Sequence, residues 1–177
     1  MENFRIEDAK PEDVYVIRTI VRDAWVSLYP NEEYGITAED LSAIDWYKPE
    51  GMERRKREIT ENPDKEHTWV LKDSENKIVG FCKADKLKNF GEIDAMYVIP
   101  ELKGRGLGKK LMEKAFEWFG PNLEVRLKVV KYNSRAIAFY KKFGFKETTT
   151  KVLYQGTTLP SGKEIPRIEM VKQATLA

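Results

Sequence analysis

The chain has few of the side chains that build disulfide frameworks and metal centres. Its 177 residues include a single cysteine, Cys82, and a single histidine, His67. One cysteine cannot form an intrachain disulfide, and one residue of each type falls short of the ligand sets of zinc sites. Free cysteine is most often a small buried residue. We therefore expect Cys82 to pack in the interior and the protein to use no metal.

The chain also lacks a long apolar run and a strong excess of charge. No run reaches the roughly 18 residues of a membrane span, and the first residues lack the apolar stretch of a secretory signal. The 31 basic and 29 acidic residues leave a net charge of +2, too small to indicate a nucleic-acid or lipid surface. We expect one soluble, cytoplasmic domain with neither nucleic acid nor membrane as a partner.

Hydrophobic periodicity divides the chain into a helical N-terminal part and a strand-rich remainder. Apolar residues recur at helical spacing between Pro11 and Pro30, and Thr37 with Asp40 has the spacing of a capping box. The charged run 53–58 is interpreted as a solvated helix face. The predicted elements are a strand at 3–7, helices at 11–30, after 37 and at 50–62, strands at 68–72, 77–88, 91–99, 123–130, 145–155 and 163–172, and helices at 107–119 and 133–143. This order predicts an α+β fold in which helices flank a mixed, mainly antiparallel sheet.

Three glycines lie between the strand predicted at 91–99 and the next helix. Gly104, Gly106 and Gly108 permit backbone angles that other residues avoid, and they expose backbone amides to a ligand. The helix N-terminus adds free N–H groups and a partial positive charge. The loop also carries the basic residues Lys103, Arg105, Lys109 and Lys110. Together these features predict a phosphate or pyrophosphate site.

Two common phosphate motifs do not fit this loop. A P-loop needs four residues between its glycines and then Lys followed by Ser or Thr. Here three residues separate Gly104 from Gly108, and Lys109 is followed by Lys110. The dinucleotide motif is Gly-x-Gly-x-x-Gly, whereas this loop is Gly-x-Gly-x-Gly. Both interpretations fail on spacing.

A second motif follows one predicted strand later, at residues 133–145, with the sequence Asn-Ser-Arg-Ala-Ile-Ala-Phe-Tyr-Lys-Lys-Phe-Gly-Phe. With the glycine loop, it resembles the GNAT superfamily of acetyl-CoA-dependent N-acetyltransferases. That family combines Val-x-Pro, Arg/Gln-x-x-Gly-x-Gly/Ala and Asn-x-x-Ala-x-x-Phe-Tyr-x-x-x-Gly-Phe; Lys103 stands where it usually has Arg or Gln. The resemblance divides the single domain 1–177 into a variable substrate-side region at 1–67, an acetyl-CoA-binding core at 68–155, a closing strand at 156–173 and a tail at 174–177.

The resemblance implies transfer of the acetyl group from acetyl-CoA to a primary amine by direct attack in a ternary complex. In the family, a tyrosine at the position of Tyr140 protonates the departing thiolate. Asn133 is a helix N-cap by sequence, and the resemblance adds a hydrogen bond to the pantetheine arm. The residues expected to bind the cofactor are Met96, Tyr97, Val98, Lys103, Gly104, Arg105, Gly106, Leu107, Gly108, Lys109, Asn133 and Tyr140.

The amine must lose a proton before it attacks, because alkylamines are protonated at neutral pH. Strict alternation of the strand places Glu92, Asp94, Met96 and Val98 on one face. Glu92 occupies the place where several family members carry their base, so we rank it first. Asp94 and water remain alternatives.

The acceptor is predicted from the weaker N-terminal pattern, which loosely resembles the polyamine and small-amine branch of the superfamily. An aromatic and acidic cluster suits a cationic amine, and polyamines are a candidate class. The expected substrate-binding residues are Trp25, Tyr29, Glu33, Tyr34 and Asp94. The resemblance is also compatible with a homodimer. Alternatives are a non-catalytic acyl-CoA-binding or sensing domain and, more remotely, a nucleic-acid module based on the basic run 54–57.

Overall fold

A computed structural model describes residues 3–148 and 158–175 of the chain. The described strands are β1 (Arg5–Asp8), β2 (Glu66–Lys72), β3 (Ile78–Lys86), β4 (Phe90–Val98), β5 (Glu124–Val130), β6 (Lys146–Glu147) and β7 (Arg167–Lys172). They form one sheet in the order β1-β2-β3-β4-β5-β7-β6, in which only the β4–β5 pair is parallel. The helices are α1 (Val14–Leu28), α2 (Ala38–Ser42), α3 (Pro49–Glu61), α4 (Leu107–Phe119) and α5 (Ser134–Lys142). The predicted α+β fold with a mixed, mainly antiparallel sheet is confirmed.

Several helix ends follow local sequence signals. Thr37 and Asp40 form the predicted capping box of α2. The Asn133 side chain accepts the N–H of Ala136 at 3.1 Å and caps α5. A single 3-10 turn at Pro11–Asp13 precedes α1. Of the strand predicted at 145–155, β6 lies within the described residues, and 149–155 lies outside them.

The sheet separates two main apolar clusters. On the α4 face, Leu111 and Met112 pack with Cys82, which is fully buried as predicted. On the α1 face, Ile17 and Val21 pack with strand residues and with Trp46 of the segment after α2. This second cluster packs α1 against the sheet.

A β-bulge interrupts β4 at Asp94. Lys83 of β3 pairs with Ala95 and Ala84 pairs with Ile93, so that Asp94 is an extra residue in β4. The extra residue reverses the alternation of side chains along the strand.

The bulge overturns the predicted facing of the two acids. Ile93 packs on the α4 face together with Met96 and Val98, although strict alternation would separate them. Glu92, next to Ile93, therefore lies on the opposite face, that of Tyr97. The prediction that Glu92, Asp94, Met96 and Val98 share one face is wrong, because it assumed an unbroken strand.

The parallel pair β4–β5 is short. Its register runs from Phe90–Glu124 to Ile93–Leu127 and ends there. Beyond it, within the described residues, the facing edges of β4 and β5 have no strand partner. The sheet therefore opens at its middle, on the carboxyl side of both strands.

No helix among the described residues is long and apolar enough to cross a membrane. The same residues bring together no group of three or more His, Cys, Asp or Glu side chains placed to hold a metal ion.

Candidate active site

The opening between β4 and β5 continues into a cleft of about 1880 Å³. Its walls are α1 and α3 on one side and the glycine loop with α5 on the other. The segment 93–99, which comprises the end of β4 and the residue after it, and the β5 segment 128–130 form its floor. The cleft therefore connects the predicted cofactor residues with the N-terminal helices.

Hydrogen bonding along β4 decides which of its amides face the opening. Just past β4, the N–H of Ile99 donates to the carbonyl of Val79 at 2.9 Å. Because the direction of backbone groups alternates along an antiparallel pair, the N–H of Tyr97 also points to β3. The N–H groups of Met96 and Val98 point the other way, to the open edge. A free strand edge thus exists at Met96 and Val98, whereas Tyr97 contributes its side chain to the cleft.

The glycine loop and the first turn of α4 present backbone N–H groups without an acceptor among the described residues. Gly104 and Gly106 have φ values of 87° and 76°, in the left-handed region that favours glycine. A Cβ built on either residue meets nothing within 4 Å, so the space above the loop is open. The N–H groups are those of Gly104, Gly106, Leu107, Gly108 and Lys109. This arrangement suits an anion.

Basic side chains are placed unevenly around the loop. Lys103 is half-buried, and burial together with the nearby charge of Arg135 lowers its pKa. Lys109 is exposed, and its Nζ atom lies 3.6 Å from Oε1 of Glu113. Arg105 is exposed and does not line the cleft. Of the three predicted basic contacts, that of Lys103 has the best support from the geometry.

Tyr140 of α5 lines the same cleft. Its ring packs against Phe139 and Phe145 at centroid distances of 5.4 and 5.8 Å. Burial raises the pKa of its hydroxyl, and Tyr97 and Cys82 add to the rise. The hydroxyl has no hydrogen-bond partner within the described segments. A phenol that keeps its proton at neutral pH and lacks a partner is suited to donate that proton to a ligand.

The two acids of β4 have different surroundings. Glu92 lies 3.2 Å from the Nζ atom of Lys128 and does not line the cleft. Asp94 lines the cleft, and its side chain is 51% exposed. Its Oδ2 atom lies 3.5 Å from Nζ of Lys83. The geometry therefore favours Asp94 over Glu92 as the carboxylate that meets an acceptor, the reverse of the ranking from sequence.

The predicted substrate-binding residues are only partly brought together. Trp25 and Tyr29 line the cleft, and both hydrogen-bond to the hydroxyl of Tyr97, at 3.0 and 3.2 Å. Glu33 is exposed and Tyr34 packs in the same apolar cluster as Trp25 and Tyr29, but neither Glu33 nor Tyr34 lines the cleft. The structure offers no geometric support for a substrate contact by Glu33 or Tyr34.

Five arginines line the cleft, and none of them was predicted from the sequence as a contact of the cofactor or the acceptor: Arg18, Arg54, Arg55, Arg135 and Arg167. Arg18 lies four residues after Val14 and three before Val21, on the apolar side of α1. This spacing alone could have predicted that Arg18 faces the interior side of the helix. Arg55 is half-buried, so the interpretation of the run 53–58 as a solvated face is only partly correct.

Comparison with known sequences identifies the family. Residues 19–145 match the sequence model of the acetyltransferase (GNAT) family, and the chain therefore belongs to that family. The chain is 36% identical over 80 residues to peptidyl-lysine N-acetyltransferase YjaB of Salmonella typhimurium, across 45% of this chain and 50% of that protein. An uncharacterized N-acetyltransferase of Archaeoglobus fulgidus is 38% identical over 86 residues, across 44% of this chain and 58% of that protein. The chain spans about half the length of the curated relatives it matches.

Solved structures share the fold over nearly the whole chain. The PaiA N-acetyltransferase of Thermoplasma acidophilum, in complex with coenzyme A, superposes with a TM-score of 0.71 and 21% identity, covering 97% of this chain and 99% of that one. A mutant of the spermidine N-acetyltransferase SpeG of Vibrio cholerae has a TM-score of 0.65 and 18% identity, with coverages of 95% and 92%. At these identities the likeness establishes the fold alone.

Proposed function

We propose that this protein transfers an acetyl group from acetyl-CoA to a primary amine. One observation carries the proposal: the open edge of β4, the free amides at the start of α4 and the Tyr140 hydroxyl meet in a single cleft. Membership of the acetyltransferase family supports the same chemistry.

The residues of the cleft fit a ligand that joins phosphates to an amide-bearing arm. The amides of Gly104 and of the segment 106–109 would hold the pyrophosphate, because free N–H groups at a helix N-terminus favour anions. The backbone of Met96 and Val98 would pair with the arm as a sheet edge pairs with an extended peptide. The side-chain oxygen of Asn133 caps α5, which leaves its amide nitrogen for the arm. When bound, acetyl-CoA supplies an acetyl group activated as a thioester.

Tyr140 donates a proton to the departing sulfur. Because burial raises its pKa, the hydroxyl stays protonated across neutral pH. An ammonium acceptor releases two protons, one before the C–N bond forms and one after. We assign the first to Asp94, directly or through water, since Asp94 lines the cleft and Glu92 does not; Asp94 then releases this proton to solvent. The second returns through solvent to Tyr140 after the C–S bond has broken.

The amine attacks directly in a ternary complex. The single thiol, Cys82, is fully buried, and burial raises its pKa, so no thiolate is available to carry the acetyl group. Initial rates measured against both substrates should therefore give intersecting lines in double-reciprocal plots. Parallel lines would indicate an acetylated enzyme and contradict direct attack.

The acceptor of the proposed reaction is a small primary amine. The names of a curated relative and of a structural neighbour, a peptidyl-lysine and a spermidine acetyltransferase, support an alkylamine. A polyamine is the candidate from sequence. Its support is reduced because Glu33 and Tyr34 lie outside the cleft.

Replacing Tyr140 with phenylalanine tests the proposal. We expect kcat to fall by about 100-fold, the scale of general acid catalysis, with the KM for acetyl-CoA changed by less than about twofold. Release of free thiol over a panel of amines measures both constants. Tyr15→Phe is the matched control, because Tyr15 is exposed on the outer side of α1 and should leave both constants unchanged.

The same panel separates the alternatives. A parallel loss of kcat and acetyl-CoA affinity in Tyr140→Phe would make Tyr140 a binding residue. Tight acetyl-CoA binding without thiol release for any amine would instead favour the non-catalytic acyl-CoA-binding or sensing domain.

A further inference from the structure

Arg18 of α1 and Arg55 of α3 reach the part of the cleft lined by these two helices, here called the acceptor end. Arg54 of α3 also lines it. The guanidinium carbon of Arg18 lies 4.7 Å from the ring centroid of Trp46, and its Nε donates to the carbonyl of Trp46 at 3.1 Å. Arg55 donates its Nη1 to the carbonyl of Gly51 at 2.9 Å. A hydrogen bond to a backbone carbonyl thus holds each arginine in place.

Each guanidinium keeps N–H donors that have no acceptor in the described part of the chain. On Arg18 these are at Nη1 and Nη2, and on Arg55 at Nε and Nη2. No carboxylate in residues 3–148 or 158–175 lies within 4.0 Å of either guanidinium, whereas the neighbouring Arg54 pairs with Glu58 at 3.3 Å. A half-buried cation without a counter-ion is costly, so these donors are available to an anionic ligand.

The charges at the acceptor end favour such a ligand. Burial, followed by the charge of Arg55, lowers the pKa of Arg18 to about 10. Burial and Arg54 lower the pKa of Arg55, and the carboxylates of Glu58 and Asp94 oppose them. A carboxylate between the two guanidinium groups would relieve their repulsion, and a polycation would add to it.

We propose that the acceptor is a small amino acid, whose carboxylate is bound by Arg18 and Arg55 while Asp94 receives its amino group. This inference rests on the proposed acetyl transfer and names the class of its acceptor. The proposed acceptor is a small zwitterion and differs from the polyamine suggested by the sequence. The opposite charges of Arg55 and Asp94, close enough to influence each other, match the two ends of such a molecule.

Matched pairs of acceptors test the class. Each ω-amino carboxylate from three to six carbons, and each of several α-amino acids, is compared with its amide; diamines of the same lengths complete the set. Thiol release should give the best carboxylate at least a tenfold higher kcat/KM than its amide, because the amide leaves the guanidinium donors unpaired. The diamines should be weaker still.

Two variants assign the effect to the arginines. Arg18→Gln and Arg55→Gln should each lower kcat/KM for the carboxylate at least tenfold and for the amide less than threefold, with the KM for acetyl-CoA unchanged. Arg57→Gln is the matched control, because Arg57 is exposed on the same helix and does not line the cleft. If Arg18→Gln unfolds, Arg55→Gln and calorimetric titration of the wild type with the carboxylate and its amide still decide the question.

The outcomes distinguish this inference from the function beneath it. If none of the acceptors led to release of free thiol, the proposed acetyl transfer itself would be overturned. Turnover that favours amides, diamines or protein amines over the carboxylates would overturn only the amino-acid acceptor. An equal loss of kcat/KM for the carboxylate and the amide in both variants would show that the arginines support the fold and do not bind the carboxylate.

Discussion

Replacing Asp85 with asparagine should stabilise the protein in neutral and alkaline solution, but not in acid. Asp85 lies on β3, and its Oδ1 atom is buried without a hydrogen-bond partner among the described residues. Burial raises its pKa from 3.8 to about 7; Lys83 opposes the rise and Asp94 adds to it. The folded state therefore accommodates the ionised carboxylate poorly.

The sign and size follow from where the proton of Asp85 resides. Below about pH 4 the group is protonated in both folded and unfolded chains and does not affect their balance. Between about pH 4 and pH 7 only the unfolded chain ionises, so the free energy of unfolding falls as the pH rises. The change in pKa corresponds to about 4 kcal/mol. Because the side chain is partly exposed to solvent, we expect about 1–2 kcal/mol.

Urea unfolding of the wild type and of Asp85→Asn, from about pH 4.5 to pH 9, measures this difference. The stability gained by the variant should be smallest at the lowest pH, grow up to about pH 7 and then stay constant. Asp64→Asn is the control, since Asp64 is exposed, and this substitution should change stability little. A gain of Asp85→Asn that is the same at every pH, or a loss at pH 9, would refute the reasoning.

Two further predictions concern the cleft. Gly106→Val forces a β-branched residue to a φ of 76° and fills the space above the amides, so calorimetric titration should show acetyl-CoA affinity reduced by more than about 100-fold. Gly120→Val, at a similar φ beyond the far end of α4, should lower stability only; equal affinities in the two variants would contradict the loop as the anion site. Asp94→Asn should lower kcat by about tenfold or more and Glu92→Gln by less than about threefold. The reverse order would restore Glu92 as the base.

Local signals predicted much of the fold because they act within a few residues. The bounds of α4 were predicted at Leu107–Phe119, where a glycine precedes and another follows the helix. The N-cap role of Asn133 was predicted for the same reason. The strand at 91–99 was also predicted to within a residue at each end, but not its bulge at Asp94. A bulge is a mismatch between two strands, so the pattern of β4 alone cannot show it.

The sequence by itself determined the conformation of the glycine loop, because a positive φ and the free amides of a helix start are properties of the chain over a few residues. The tertiary structure alone decided which charged groups line the cleft. The bulge turned Glu92 away from Met96 and left Asp94 in the cleft. Arg18 and Arg55 come from separate helices, and they lose solvent and line one cleft only when α1 and α3 pack beside the sheet. Desolvation and charge repulsion arise from that packing and cannot be assigned to any single segment.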